Sequence, residues 1–152
     1  MPGRQLDDDA NILVRLEGGG KGTLVCSQVA CGEDNNLTIH VYGEKAGLEW
    51  RQQQPNSLIY KPSGQPWQTL CSGSGYLSEA AQAASRIPAG HPEGYLEAFA
   101  VIYREFIADV RRVRRGETPC QNYATVHDGL RGLRFIAKAV ESSRLGGKWL
   151  TL

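Results

Sequence analysis

The sequence predicts an α+β fold: a largely antiparallel sheet with long helices packed on one face and the other face open. Three observations carry this. Strand-like runs with two-residue alternation fill the first half, two long stretches with three- and four-residue apolar spacing fill the second, and "KWLTL" at the end turns strand-like again. At 152 residues the chain suffices for one domain with a core, here residues 10–152 after a short leader, 1–9.

The first element settles a question of chemistry. "LEGGGKGTL" packs four glycines and a lysine into the stretch from Leu16 to Leu24, as a phosphate-cradling loop would. A P-loop needs Ser or Thr after Gly-Lys, where this chain has Gly22, and a first glycine where it has Arg15. A dinucleotide loop needs glycine at position 23, which is Thr. Both motifs lead from a strand into a helix, whereas "ANILVRLE" and "TLVCSQVAC" on either side are both strand-like. Ile12, Val14 and Leu16 alternate with Leu13, Arg15 and Glu17, so the run reads as a β-hairpin with Lys21 in its turn.

A second hairpin follows. Leu37, Ile39 and Val41 alternate with Thr38, His40 and Tyr42, "GEKAG" makes the turn, and "LEW" runs back. "QQPN" marks a break and "SLIYK" a short strand. From Pro62 to Pro92 the chain is loop-like, with a short helix at "YLSEAAQAAS".

From Pro92 to about Arg115 a helix is expected, with a core-facing stripe of Leu96, Phe99, Tyr103, Phe106, Val110 and Val113. Pro92 suits its first turn, Glu93 its positive end and Gly116 its stop. The basic cluster Arg111 to Arg115 suits the negative end of that helix. A second helix opens at Thr125, a candidate N-cap with Asp128 three residues on. Val126, Leu130, Leu133, Ala137 and Val140 form its stripe, and Gly146-Gly147 end it.

Composition excludes several functions. Seventeen basic residues nearly cancel sixteen acidic ones, so neither nucleic acid nor a membrane surface is an expected partner. No apolar run reaches the length of a membrane span and the N-terminus is no signal peptide, so the expected location is cytoplasmic. Cys26, Cys31, Cys71 and Cys120 lack zinc spacing and read as reduced, mostly buried thiols, with Cys26 and Cys31 on opposite strand faces. "CSGSG" around Ser74 lacks the first glycine of a nucleophile elbow. No catalytic residue and no metal ligand set is expected.

Two groups of residues remain as candidates. His91, Glu93 and Tyr95 cluster in "AGHPEGYLEAF" at a loop-to-helix junction, where backbone N–H groups and polar side chains can meet a ligand. The alternative there is that His91 and Glu93 anchor the helix while Tyr95 belongs to its core stripe. Thr38, His40 and Tyr42 lie on one side of a strand, where a face of mixed polarity suits docking. His127 falls in a first helical turn.

Three segments carry a family resemblance. "DDDANILVRLEGGGKGTLVCSQVACGEDNNLTIHVYGEKAGLEW" resembles the start of the C-terminal domain of the glucose–fructose oxidoreductase and inositol dehydrogenase family (Gfo/Idh/MocA). "AGHPEGYLEAFAVIYREF" and "YATVHDGLRGLRFIAKAVESSRLGGKWLTL" are similar to that domain's later helices and closing strand. The resemblance runs from about Asp7 to Leu152. It implies a two-domain NAD(P)-dependent oxidoreductase acting on sugars and polyols. There the N-terminal Rossmann half holds the cofactor, and the C-terminal half completes the substrate site and dimerises through its open sheet face. The family's Glu-Lys-Pro lysine has no counterpart, since Lys45 lies in a hairpin turn, and its histidine segment would precede Asp7. The expectation is a free-standing C-terminal domain, a homodimer through Thr38, His40 and Tyr42, that binds no cofactor and is no dehydrogenase by itself. The alternative is a subunit of a split oxidoreductase that needs a separate NAD(P)-binding Rossmann chain.

Overall fold

The computed structural model describes Gly3 and residues 6–152. Of the expected leader, residues 1, 2, 4 and 5 lie outside the described residues, and Asp9 already begins the first strand. The chain forms two compact units. One joins the residues up to Asp34 with Val126–Leu152, and the other is Asn35–Thr125.

In the first unit β1 (Asp9–Arg15) pairs antiparallel with β2 (Lys21–Ser27), Arg15 opposite Lys21 and Ile12 opposite Leu24. The glycine run is therefore the expected hairpin turn. Leu16 and Gly19 close it through Leu16 N–H to Gly20 O at 2.8 Å and Gly19 N–H to Leu16 O at 2.9 Å, and Gly19 takes a φ of 85° that suits glycine alone. Alternation in β1 is as read, with Ala10, Ile12 and Val14 half-buried between exposed neighbours. The helix of this unit spans Val126–Arg144 and ends at Gly146 and Gly147, both left-handed, with Gly147 N–H on Ser142 O at 2.8 Å.

"KWLTL" is not a strand. Lys148 O accepts the Ser142 hydroxyl at 2.8 Å, and the Trp149 ring lies under the Arg15 guanidinium at 4.3 Å. Residues 148–152 have strand-like composition but no ladder partner.

The second unit holds a four-stranded antiparallel sheet in sequential order: β3 (Thr38–Tyr42), β4 (Ala46–Arg51), β5 (Ser57–Pro62) and β6 (Gln68–Cys71). β6 falls in the stretch expected to be loop. Its strand character comes from pairing with β5, Leu70 opposite Leu58 and Cys71 opposite Ser57. Because residues alternate across the sheet, one face carries Ile39, Val41, Leu48, Trp50, Leu58, Tyr60 and Leu70. The other carries Thr38, His40 and Tyr42 on β3, Glu49 and Arg51 on β4, and Ile59 and Lys61 on β5.

Two helices follow the sheet in sequence: α1 (Glu79–Ala84), capped by Ser78, and α2 (Tyr95–Arg114). The first unit's helix, Val126–Arg144, is α3 in chain order. α2 starts three residues later than Pro92 suggests. Gly94 is its N-cap and Glu97 Oε2 accepts the Gly94 N–H at 2.7 Å, while residues 91–93 are bonded to a loop of the sheet instead. Gly116, at a φ of 75°, stops α2 as expected, with Glu117 N–H on Arg112 O at 3.0 Å.

Burial departs most from expectation. Among the described residues only Pro62 and Asp109 are buried. The α2 stripe at Leu96, Phe99, Tyr103, Phe106 and Val113 is exposed, Leu96 at 74 %, and so are Val126, Leu130 and Leu133 on α3. All four cysteines are exposed too, and Cys31 lies beyond the end of β2. Periodicity identifies which side of a helix is apolar; it does not supply the surface that covers it.

Candidate functional site

The junction before α2 is built from three sheet-end segments. Asn56, the residue before β5, donates from Nδ2 to His91 O at 3.3 Å and accepts the Glu93 N–H on Oδ1 at 3.2 Å. Its own carbonyl accepts Ser72 N–H, just past β6, at 2.9 Å. Trp50 on β4 donates from its indole to Pro55 O at 3.1 Å, and a Cβ added at Gly94 would stand 3.2 Å from the Pro55 ring. Glycine at 94 thus admits the Pro55 ring at the helix entry.

His91, Glu93 and Tyr95 follow one another at this junction, each with its own partner. The His91 Nδ1 lies 3.2 Å from Pro88 O. A carbonyl only accepts, so that nitrogen carries the proton, and in the neutral ring Nε2 is left as an acceptor. The Glu93 carboxylate takes Arg86 N–H at 2.9 Å, which ties the preceding loop to the helix entry. Tyr95 is 67 % exposed, outside any core, with its ring tilted 58° against Phe99 at 4.9 Å. Glu97 accepts the Gly94 N–H, and that bond, more than any other influence, holds its carboxyl below the usual range. This junction can offer a histidine acceptor and a phenol hydroxyl to a hydroxylated ligand.

The polar sheet face has a different character. His40 and Tyr42 stack at 6.2 Å with rings 17° apart, and Tyr42 is 80 % exposed. Directly across from His40 sits Glu49, which bonds Lys61 and takes Arg51 Nε at 2.8 Å; His40 Nδ1 stands 3.7 Å away. The Lys61 bond first, then Arg51, lowers the Glu49 pKa to about 2. Lys61 also covers the exposed Trp67 ring at 4.3 Å. A shallow hollow beside Glu49 is lined by Arg51, Gln54, Ser57 and Ile59. One carboxylate between two cations, with an aromatic pair at its edge, gives this face mixed polarity.

Sequence reasoning singled out the three junction residues and the Thr38, His40 and Tyr42 row because each set is local in the chain. It missed Asn56 and Glu49, whose partners are distant in sequence or across the sheet. Asn56 bonds residues 35 and 37 positions away. Nothing in "QQPN" beyond a turn signal marks it.

The glycine run does not form a strand-to-helix dinucleotide turn. The one run rich in adjacent glycines joins two antiparallel strands, so no helix N-terminus follows it to receive a pyrophosphate. Among the described residues no three of His, Cys, Asp or Glu are grouped to hold a metal ion, and no helix is long and apolar enough to cross a membrane.

The sequence family described as "Oxidoreductase family, C-terminal alpha/beta domain" matches residues 1–152. The uncharacterized oxidoreductase YfiI of Bacillus subtilis (strain 168) is 34 % identical over 148 residues, 95 % of this chain and 38 % of that protein. An oxidoreductase from Sinorhizobium meliloti superposes with a TM-score of 0.90 at 47 % identity, over 99 % of this chain and 43 % of its own. An inositol dehydrogenase homologue from Azotobacter vinelandii, in complex with NAD+, superposes with a TM-score of 0.93 at 36 % identity, over 97 % of this chain and 39 % of its own. The chain spans about two fifths of the length of these relatives.

Proposed function

Because the chain belongs to the Gfo/Idh/MocA oxidoreductase family and corresponds to its C-terminal domain, we propose that it is the substrate-side and assembly domain of an NAD(P)-dependent sugar or polyol oxidoreductase. The observation that carries this is the match itself, which covers residues 1–152 and only two fifths of each relative. His91 and Tyr95 contact the hydroxyl-rich ligand, with His91 Nε2 accepting and the Tyr95 hydroxyl donating, and Glu93 holds the loop that presents them. The Thr38, His40 and Tyr42 face pairs with a second copy. NAD(P) is held by a Rossmann domain, and the residues described here take no part in gripping its pyrophosphate. The domain is non-catalytic by itself, works in the cytoplasm, and needs neither nucleic acid nor a membrane.

A second reading, a subunit that works with a separate NAD(P)-binding chain, draws support from the exposed apolar stripe of α2. Leu96, Phe99, Tyr103 and Phe106 form an uncovered row that suits a protein partner.

One experiment tests the main reading. The 152-residue chain is titrated with NADH, then fused to the remaining part of the Azotobacter vinelandii inositol dehydrogenase homologue, whose structure holds NAD+, and assayed on sugars and polyols. The expected result is no saturable binding by the chain alone and NAD(P)-dependent oxidation by the fusion. Firm NADH binding by the chain alone, or a folded, NADH-binding fusion inert on every substrate, overturns the proposal. Activity regained by mixing the two parts unfused favours the second reading.

A further inference from the structure

We infer that Asn56 is a positioning residue: it sets the backbone of residues 91–93 and, through it, the aim of His91 and Tyr95. The inference rests on the reading of that junction as the ligand-contact site. Pro92 has no N–H; the His91 carbonyl and the Glu93 N–H are the acceptor and the donor on either side of it. Asn56 satisfies both at once, Nδ2 donating to the first at 3.3 Å and Oδ1 accepting the second at 3.2 Å. A side-chain amide presents a donor and an acceptor on two separate atoms of one plane; a carboxylate has only acceptors, an ammonium only donors, and a hydroxyl carries both on one atom.

Asn56 is itself held. Ser72 N–H bonds its carbonyl at 2.9 Å, the Trp50 indole bonds the preceding carbonyl at 3.1 Å, and Ser57 N–H bonds Gln54 O at 3.1 Å. The Pro55 ring then sits close enough to Gly94 that an added Cβ would stand at 3.2 Å. Rigid strands β4 and β6 therefore fix a turn, and the turn grips the approach to α2. The Glu93 carboxylate and the Pro88 carbonyl, which holds the His91 ring, complete the placement on the other side. Support of this kind is what a pair of contact groups needs to keep their separation.

The test uses the 15N-labelled full chain, read by amide exchange and by the ring resonances of His91 and Tyr95, with myo-inositol as the probe. Asn56→Ala removes both bonds, whereas Asn56→Asp keeps the acceptor for Glu93 N–H and loses the donor to His91. In Asn56→Ala the Glu93 amide is expected to exchange at least about tenfold faster, the His91 ring resonances to move, and the myo-inositol response at His91 and Tyr95 to vanish. Asn56→Asp is expected to restore slow exchange at Glu93 while His91 stays displaced. Unchanged exchange and ring resonances in Asn56→Ala overturn the inference, as does an intact myo-inositol response despite loosening. A wild-type chain silent to myo-inositol defeats the ligand reading of the junction, and the exchange and ring readouts still decide whether Asn56 sets its shape. Should Asn56→Ala fail to fold, Asn56→Asp carries the same comparison on His91 alone.

Discussion

Asp109 Oδ2 accepts the backbone N–H of Gln121 at 2.8 Å, and Gln121 is held at a left-handed φ of 54°. The other oxygen takes Cys120 N–H at 2.9 Å, Arg112 pairs at 3.7 Å, and Phe106 meets Tyr123 edge-on at 5.7 Å. A carboxylate on α2 thus fastens the loop that follows the helix. Asp109, only 4 % exposed, is the one buried charged residue among those described.

Asp109→Asn leaves one oxygen to accept and turns an NH2 group toward a backbone donor. The thermal midpoint is expected to fall by roughly 5 °C, measured by circular dichroism. The Cys120 and Gln121 N–H bonds hold the Asp109 carboxyl below its ordinary value. Its contribution is therefore present above the unfolded carboxylate range and lost as pH falls through the lower folded value. The variant should lose that part of the acid sensitivity.

Glu49 makes a second acid-linked prediction. Its pKa in the fold, about 2 against 4.5 unperturbed, means that folding favours the ionised form. Stability from the Lys61 and Arg51 bonds is complete above about pH 4.5 and lost as pH falls toward 2. Urea unfolding of Glu49→Gln across that window should show a flatter pH profile than the wild type. Equal slopes would mean that the charge network contributes no linkage.

Self-association through the polar sheet face is tested at its most exposed residue. Tyr42→Glu, and His40→Glu beside it, should raise the dimer dissociation constant tenfold or more. The readout is native mass across a dilution series, with reductant present because Cys26, Cys31, Cys71 and Cys120 are all exposed thiols. An unchanged mass profile would place the contact on another face.

Two glycines separate backbone strain from steric contact. Gly64, at φ 69°, has nothing within 4 Å of an added Cβ, whereas at Gly73, at φ 72°, that Cβ would stand 3.0 Å from Ala89 N. Gly64→Ala should cost about 1 kcal/mol for the left-handed backbone alone. Gly73→Ala should cost roughly 2 to 3 kcal/mol, since the backbone at Ala89 must also move. Equal losses in urea unfolding would mean that the 73–89 approach is looser than it looks.

What local sequence could reveal and what it could not divide along a physical line. Both hairpins were legible because two-residue alternation and glycine turns are local signals, and Gly116 and Gly146 marked helix ends for the same reason. β6 was not, because four residues among turn-formers become a strand only through pairing with Ser57 to Tyr60 on β5. "KWLTL" erred the other way: its residue types favour a strand, but the Ser142 hydroxyl and Arg15 claim it first. Pro92 was read into α2 because proline suits a first turn, yet the backbone at Gly94 is extended, at a φ of −168°, and the helix starts only at Tyr95. At the candidate junction His91, Glu93 and Tyr95 stand close together in the sequence, whereas Asn56, bonded to residues 91 and 93 from 35 and 37 positions away, carries no local signal.

The Arg15–Trp149 contact joins strands of sequence from opposite ends of one unit, with the whole of Asn35–Thr125 strung between them. Closing a loop that long in an unfolded chain costs on the order of 4 kcal/mol, and a cation–π contact returns only about 1 kcal/mol. That contact cannot start folding. The expected order is that Asn35–Thr125 folds before the tail meets the β1–β2 hairpin. Pulse-labelled exchange during refolding should accordingly register the β4–β5 amides ahead of any ordering around Trp149.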